Sequence, residues 1–378
     1  MKIGLNLLFM IPGEVGGTET YTRGLLRGFE QLGTDHEFVL FLNRESAALG
    51  LGDAPGFRTV LCPVNAVHRA GRFYYEQVRL RADIRKQGID LLHSLGYSSP
   101  AFLKCPTVVT VHDLNFRAFG TMMPLSRRIM RGLAVKQAVV QSSRVITVSE
   151  FSREEILREY RISPGKVVVT HEAADLPPQC ESTDGPGAPL TIAGAQQPYI
   201  VAFSSTYPNK NLPRLVEAFG VAKRERGIAQ RLVLIGHPFP SDAWDGNAQT
   251  LVENSDLIWA GYLKRSQVFE VLRKADFLVF PSFYEGFGLP VLEAMAAGVP
   301  VVCSRAASLP EVAGTAAVFF DPFSVADIAE KIVSVATNAP LRDELRRLGG
   351  ENLKRFSWRK TAGETVAVYD ELVRRTIV

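Results

Sequence analysis

A chain of 378 residues, 46% hydrophobic and 22% charged, is too long for one ordinary core and suits two. No low-complexity tract interrupts this soluble, globular composition, and no apolar run approaches the length of a membrane span. The net charge of +4 is unevenly spread: Arg58 to Arg144 holds 14 Lys or Arg against four acids, while residues 181–378 hold 21 basic against 22 acidic side chains. A basic first half fits an ordinary solvated face, or attraction to an anionic membrane surface or a phosphate-bearing molecule. Nucleic acid has only this patch in its favour, with no recognition module.

In chain order, "KIGLNLL" reads as a first strand; its apolar run is too short for a signal peptide and lacks a cleavage site. Gly16 and Gly17 follow, where glycine lets a loop backbone approach a phosphate, or simply makes a turn. Glu19 stands just beyond. Strands "HEFVLFL", "FRTVLC", "DLLHSL", "TVVTVHD" and "RVITVSE" alternate with helical stretches over Thr20–Leu32, Tyr74–Gln87 and Leu125–Gln141. Cys62, Cys105, Cys180 and Cys303 are scattered, as in a cytosolic protein with reduced thiols, and form no zinc pattern. Arg127, Arg128 and Arg131, beside Ile129, Met130 and Leu133, make the best candidate for a membrane-facing surface. Ser149 or Ser152 caps the next helix; Ser152 with Glu155 has capping-box spacing.

Residues 175–198, "DLPPQCESTDGPGAPLTIAGAQQP", have a linker composition. The strand pattern then resumes with "YIVAFSS", "RLVLIG", "LIWAG", "DFLVFPS", "PVVCS" and "AVFFD". Near-continuous apolar strands between amphipathic helices indicate parallel sheets covered on both faces. The expected fold is therefore α/β, with two Rossmann-like domains facing across a cleft: residues 1–180, a linker at 181–198, and residues 199–355. In such sheets ligands bind beyond the carboxyl ends of the strands.

One strand end, "SFYEGFGLPVLEAMAAGVPVV" over residues 282–302, poses a puzzle. Its glycine turn and Pro290, at the expected first position of a helix, make a ready anion site. Glu285 and Glu293 would repel a phosphate, yet they are good acceptors for hydroxyls. A ligand carrying both phosphates and hydroxyls, a nucleotide sugar, satisfies the whole stretch. A dehydrogenase is disfavoured, because no G-x-G-x-x-G follows any strand.

"YEGFGLPVLEAMAAGVPVV" is similar to the E-x7-E region of the GT-B-fold, family-4 retaining glycosyltransferases. The resemblance extends through "IPGEVGGTETYTRGLL", "VVTVHDLNF", "VITVSEFSREEI", "STYPNKNLPRLVEAF" and "LIWAGYL". "RFSWRKTAGETVAVYDELV" resembles the final helices, which in that fold cross back onto the first domain, so 356–378 is expected there. The resemblance implies that Glu285 accepts hydroxyls of the donor sugar and Glu293 those of the ribose. It implies that the backbone of Gly286, Phe287 and Gly288, with Leu289, approaches the sugar and diphosphate. Gly261 and Tyr262 would border the base, Gly16 and Gly17 the phosphates, and Lys210 the leaving diphosphate. His112 would lie beside the donor sugar, and Glu19 towards the acceptor. Many relatives carry a Gly-Arg pair before that lysine; this chain has Ser204, Ser205 and Thr206 instead, leaving the second cation unassigned.

The implied activity is transfer of a hexose, with a slight preference for mannose, from a GDP- or UDP-sugar to a saccharide or lipid-linked acceptor. Retention at the anomeric carbon is implied, without a cofactor. The absence of a D-x-D motif argues against a metal. The expected location is cytoplasmic, peripheral at the inner face of the membrane. The alternatives are a nucleotide-sugar epimerase on a related scaffold and a non-catalytic nucleotide-binding protein.

Overall fold

The computed structural model describes residues 1–119, 124–174, 198–237 and 246–377. The expected linker, 181–198, lies outside them except for Pro198. The chain divides into two compact units, Met1–Ala173 with Phe356–Val378, and Ala174–Arg355.

The first unit is built on seven parallel strands, β1 (Lys2–Asn6), β2 (Glu37–Leu42), β3 (Phe57–Leu61), β4 (Leu91–Ser94), β5 (Thr107–Thr110), β6 (Arg144–Thr147) and β7 (Val167–Val169). Their order is β3-β2-β1-β4-β5-β6-β7. Around them lie α1 (Gly17–Leu32), α2 (Arg69–Tyr74), α3 (Leu80–Gln87), α4 (Asn115–Ala118), α5 (Leu125–Gln141) and α6 (Glu150–Tyr160). Side chains on both faces of the central strands, among them Ile3, Leu5, Leu91, Leu92, Val108 and Val109, have no exposed surface. This is why these segments read as unbroken apolar runs rather than as an alternation.

Two elements depart from the sequence-based expectation. Strand β7 was not anticipated, and the single helix expected over Tyr74–Gln87 is α2 and α3 joined by a π-helical turn, Tyr75–Arg79. Ser149, rather than Ser152, caps α6: its side chain accepts the Ser152 N–H.

The C-terminal helix Trp358–Ile377 packs on α1 within this unit. Gly24 and Gly28 make room for it: a Cβ at Gly24 would sit 2.1 Å from the Trp358 indole, and one at Gly28 2.2 Å from the Trp358 carbonyl oxygen. Polar contacts complete the seam. Tyr369 Oη lies 2.6 Å from His93 Nδ1, Thr361 Oγ1 donates to the His171 carbonyl at 2.6 Å, and Arg144 pairs with Glu371 at 2.7 Å.

The second unit carries six parallel strands, β8 (Tyr199–Ser204), β9 (Arg231–Gly236), β10 (Leu257–Gly261), β11 (Leu278–Phe280), β12 (Val301–Ser304) and β13 (Ala317–Phe320), ordered β10-β9-β8-β11-β12-β13. Its helices are α7 (Leu212–Arg226), α8 (Gly246–Glu253), α9 (Arg265–Lys274), α10 (Leu289–Ala296), α11 (Leu309–Ala313), α12 (Val325–Ala336) and α13 (Ala339–Leu353). Phe219, Phe277, Leu232 and Ile332 are fully buried in one cluster that joins sheet to helices. Both units are thus doubly wound Rossmann-like sheets. Their strand order reverses between β1 and β4 and between β8 and β11, the positions beyond whose strand ends this kind of fold binds its ligands.

Candidate functional site

In the second unit the loop after β11 meets the loop after β8. Lys210 closes a short 3-10 turn, Pro208–Lys210, and its Nζ donates to Glu285 Oε1 at 2.7 Å. Asn209 and Asn211 lock this meeting. Asn209 Nδ2 donates to the Tyr284 carbonyl at 3.1 Å, and its own carbonyl accepts the Phe283 N–H at 2.8 Å. Asn211, at φ 54°, donates to the carbonyls of Pro281 and Pro322. The left-handed backbone at Asn211 turns the chain from the lysine into α7; asparagine tolerates that conformation better than most residues.

Gly286, Phe287 and Gly288 lead into α10. Gly288 caps the helix at φ 111°, where a Cβ would lie 2.7 Å from Leu309 Cδ2. Leu289 is the first helical residue, so Pro290 occupies the second position rather than the first. Ser308 Oγ lies 2.6 Å from the Phe287 carbonyl and 3.0 Å from that of Glu285, and holds the loop from beneath. Phe287 and Leu289 are buried, and the first amides of α10 lie at its glycine-led N-terminus with the positive end of its dipole. Glu293, one turn into α10, accepts from Arg265 at 3.2 Å.

Other expected residues in this unit sit on the neighbouring strand ends. Ser204 ends β8 and donates to the His237 carbonyl at 2.5 Å, whereas Ser205 Oγ accepts the Tyr207 N–H. Gly261 ends β10 at φ 68°, and the exposed Tyr262 stands edge-on to His237 at 5.9 Å.

The first unit gathers its own polar residues at the carboxyl ends of β1, β4 and β5. Gly16 caps α1 with φ 54° and ψ −125°, and Gly17 begins the helix. Glu19 is occupied in building this loop: it accepts the Gly13 N–H at 2.8 Å and Arg23 Nε at 2.9 Å. His112 is buried, with Nε2 3.3 Å from the Leu95 carbonyl and Nδ1 3.3 Å from Glu172 Oε1. A carbonyl can only accept, so Nε2 carries a proton. Burial pushes the Glu172 carboxyl above its ordinary value, with His112 opposing. The ring of Tyr21 meets His112 edge-on at 4.8 Å, and Ser152 Oγ donates to the His112 carbonyl.

Three residues expected together on one surface separate. Arg127 and Arg128 are exposed beside exposed Leu125, Ile129, Met130 and Leu133. Arg131 leaves that face: half-buried, its guanidinium lies 5.1 Å from the ring centroids of both Tyr97 and Phe116. Sequence reading missed Glu172, Arg265, Ser308 and Asn209, whose partners stand 60, 28, 21 and 75 residues away. Such contacts leave no local pattern. Among the described residues no helix is long and apolar enough to cross a membrane.

Comparisons with known proteins agree with this arrangement. A family model described as "Glycosyltransferase Family 4" matches residues 15–176, and one described as "Glycosyl transferases group 1" matches residues 192–351. The chain is 30% identical over 274 residues to an O-antigen chain mannosyltransferase B of Escherichia coli, covering 69% of each chain. It is 29% identical over 313 residues to an MMP alpha-(1->4)-mannosyltransferase of Mycolicibacterium hassiacum, covering 77% of this chain and 72% of that one. A solved sucrose-phosphate synthase from Thermosynechococcus elongatus superposes with a TM-score of 0.73 at 19% identity, over 99% of this chain and 100% of that one. The fold is that of the two-Rossmann GT-B transferases. The chain belongs to the family-4, group 1 glycosyltransferases, and is an enzyme of that class.

Proposed function

We propose that the chain moves a hexose, by preference mannose, from a nucleoside-diphosphate sugar to a hydroxyl of a saccharide or lipid-linked acceptor in cell-surface polysaccharide synthesis. The observation that carries this reading is the Lys210–Glu285 pair, 2.7 Å long, beside the glycine-led start of α10 at the β8/β11 switch point. In this reading Glu285 accepts sugar hydroxyls, Glu293 accepts ribose hydroxyls, and the Gly286–Gly288 backbone approaches the diphosphate. Gly261 and Tyr262 border the base, and the Gly16 and Gly17 backbone serves the phosphates.

Lys210 stabilises the negative charge that develops on the leaving diphosphate, and the α10 amides add theirs, so the reaction needs no metal. The serines at 204 and 205 stand where a second cation would otherwise serve. Transfer proceeds with retention, on the front face, with the departing phosphate helping to deprotonate the acceptor. His112 lies beside the donor sugar, held by Glu172. Residues 1–180 receive the acceptor and residues 199–355 bind the donor.

The preference for mannose rests on the two relatives named above, both mannosyltransferases, and the pathway on the O-antigen name of one. The exposed basic and apolar residues of α5 support peripheral attachment to an anionic membrane at its cytoplasmic face. The test is incubation with GDP-mannose and a lipid-linked saccharide, in chelator, followed by NMR of the new linkage. An α-mannoside from this α-linked donor is expected. An inverted product, or release of a free altered sugar without acceptor, would overturn the mechanism.

A further inference from the structure

We propose that Arg72 and Arg131 form a phosphate-binding site at the carboxyl end of the first unit's sheet, one that recognises a phosphate group carried by the acceptor. The word acceptor rests on the transferase reading above; the anion site itself does not.

Two elements deliver these guanidinium groups to one segment of chain. From α5, Arg131 lies over Tyr97 and Phe116, rings that follow β4 and β5. From α2, Arg72 sits four residues before Glu76, near enough for the two charges to interact. Glu76 is wholly enclosed at the strand ends, accepting from Asn6 Nδ2 and Ser98 Oγ, both at 2.9 Å. Ser98 adjoins Tyr97, so Arg131 and the carboxylate that Arg72 interacts with meet at the 97–98 turn. The turn that follows α2 is tied to α5 at the next residue: Gln77 and Gln137 both donate to the Ser99 carbonyl, at 2.9 and 3.2 Å.

Neither arginine has a carboxylate partner within 4.0 Å among the described residues. The nearby acids are engaged elsewhere: Glu76 as above, Asp113 by the Tyr97 hydroxyl and the Asn115 N–H, and Glu172 by His112. Arg72 Nε is buried without a hydrogen-bond acceptor. Burial lowers the pKa of Arg72, and so does the like charge of Arg131, with Glu76 opposing both. Two partly desolvated cations held near each other without a bonded acid are costly, and an anion that binds both offsets that cost. A carboxylate is satisfied by one guanidinium fork; two forks arriving from different helices suit the several non-bridging oxygens of a phosphate. Stacking on Tyr97 and Phe116 fixes the plane of Arg131 before any ligand arrives.

The phosphate could belong to a phosphorylated sugar or to the phosphate linker of a lipid-linked acceptor, and the test separates the two. Inorganic phosphate, a hexose 1-phosphate and a short-chain prenyl diphosphate are titrated calorimetrically into wild type and into Arg72→Gln, Arg131→Gln and Lys210→Ala. Circular dichroism and melting confirm that each is folded. Arg72→Lys and Arg131→Lys, which keep the charge, guard against packing effects. The proposal expects wild type to bind at least one probe and each Gln variant to lose roughly tenfold or more in affinity. Partial recovery is expected in the Lys variants and little change in Lys210→Ala. The probe bound most tightly names the source. Absence of binding at millimolar concentration, unchanged affinity in both Gln variants, or a loss confined to Lys210→Ala would overturn it. The transferase reading fails separately, by silence towards every nucleotide sugar.

Discussion

Replacing Lys210 by alanine separates its structural work from the chemical role proposed for it. The pair with Glu285 is short, 2.7 Å, but its side chains keep 25% and 14% of their exposure, between a surface pair and a buried one. A surface pair contributes 0–1 kcal/mol and breaking a buried one costs 3–5, so with solvent screening the loss in stability should be about 1 kcal/mol. That lowers Tm by roughly 2–4 °C in a unit of this size. Removing a cation aimed at developing charge costs far more in rate, about 10²–10³ in kcat, or roughly 2.7–4 kcal/mol. The assay is nucleoside-diphosphate release from GDP-mannose with an acceptor present, alongside donor Kd by calorimetry. Lys210→Ala should stay folded, bind the donor more weakly and lose at least about a hundredfold in kcat/KM. Lys210→Arg should recover part of that rate. A folded Lys210→Ala enzyme with the wild-type kcat/KM would refute the assignment, as would a rate loss that simply follows the unfolded fraction.

Three further outcomes follow from other contacts. Gly28→Ala drives a Cβ to 2.2 Å from the Trp358 carbonyl oxygen, a backbone atom that cannot swing away. It should lower the urea midpoint by an amount worth about 1–3 kcal/mol, and an unchanged midpoint would contradict the packing of the C-terminal helix. Burial holds His93 down at about 3 from an ordinary value of 6.5. The unfolded chain therefore gains a proton that the folded one refuses, and stability should fall as pH drops from 6.5 towards 3, by up to about 1.4 kcal/mol per unit. Melting curves over that range should flatten in His93→Gln, and an unaltered slope would remove His93 as the cause. Charge reversal at exposed Arg127 and Arg128 should weaken binding to anionic vesicles by about 1 kcal/mol or more per site, with a steep salt dependence, and leave activity on a soluble acceptor intact. Equal binding to neutral vesicles would oppose the membrane role.

Much of the fold was legible because its strands are buried on both faces. "HEFVLFL" and "RLVLIG" advertise themselves as β-branched and aromatic apolar runs, and β2 and β9 fall within them. Strand β7 was not read: "VVV" is only three residues, wedged behind the Pro164–Lys166 turn. Helix α5 matches its expected span, Leu125–Gln141, whereas the Tyr74–Gln87 pattern hid a break. Apolar periodicity does not report a π turn, and here the wider turn coincides with Glu76 facing inward to Asn6 and Ser98. At the site, glycines and charges show which residues stand at strand ends, but not which ones touch. Lys210 and Glu285 are 75 residues apart, and their contact is a property of the β8/β11 neighbourhood. Arg131 was grouped with Arg127 and Arg128 as basic neighbours of Ile129, Met130 and Leu133, yet the rings of Tyr97 and Phe116 draw it inward. Only the tertiary fold could reveal that pull.

The central claim is that the Glu285–Glu293 segment holds a nucleotide sugar. The most direct test is calorimetric titration of GDP-mannose, UDP-glucose, UDP-galactose, UDP-N-acetylglucosamine and dTDP-rhamnose, with NAD as control, into wild type, Glu285→Gln and Glu293→Ala. One nucleotide sugar, by preference GDP-mannose, should bind wild type, and each variant should lose roughly tenfold or more, since a charged hydrogen-bond partner contributes about 1.5–3 kcal/mol. Binding of NAD alone, or a sugar nucleotide bound equally by all three proteins, would contradict the account.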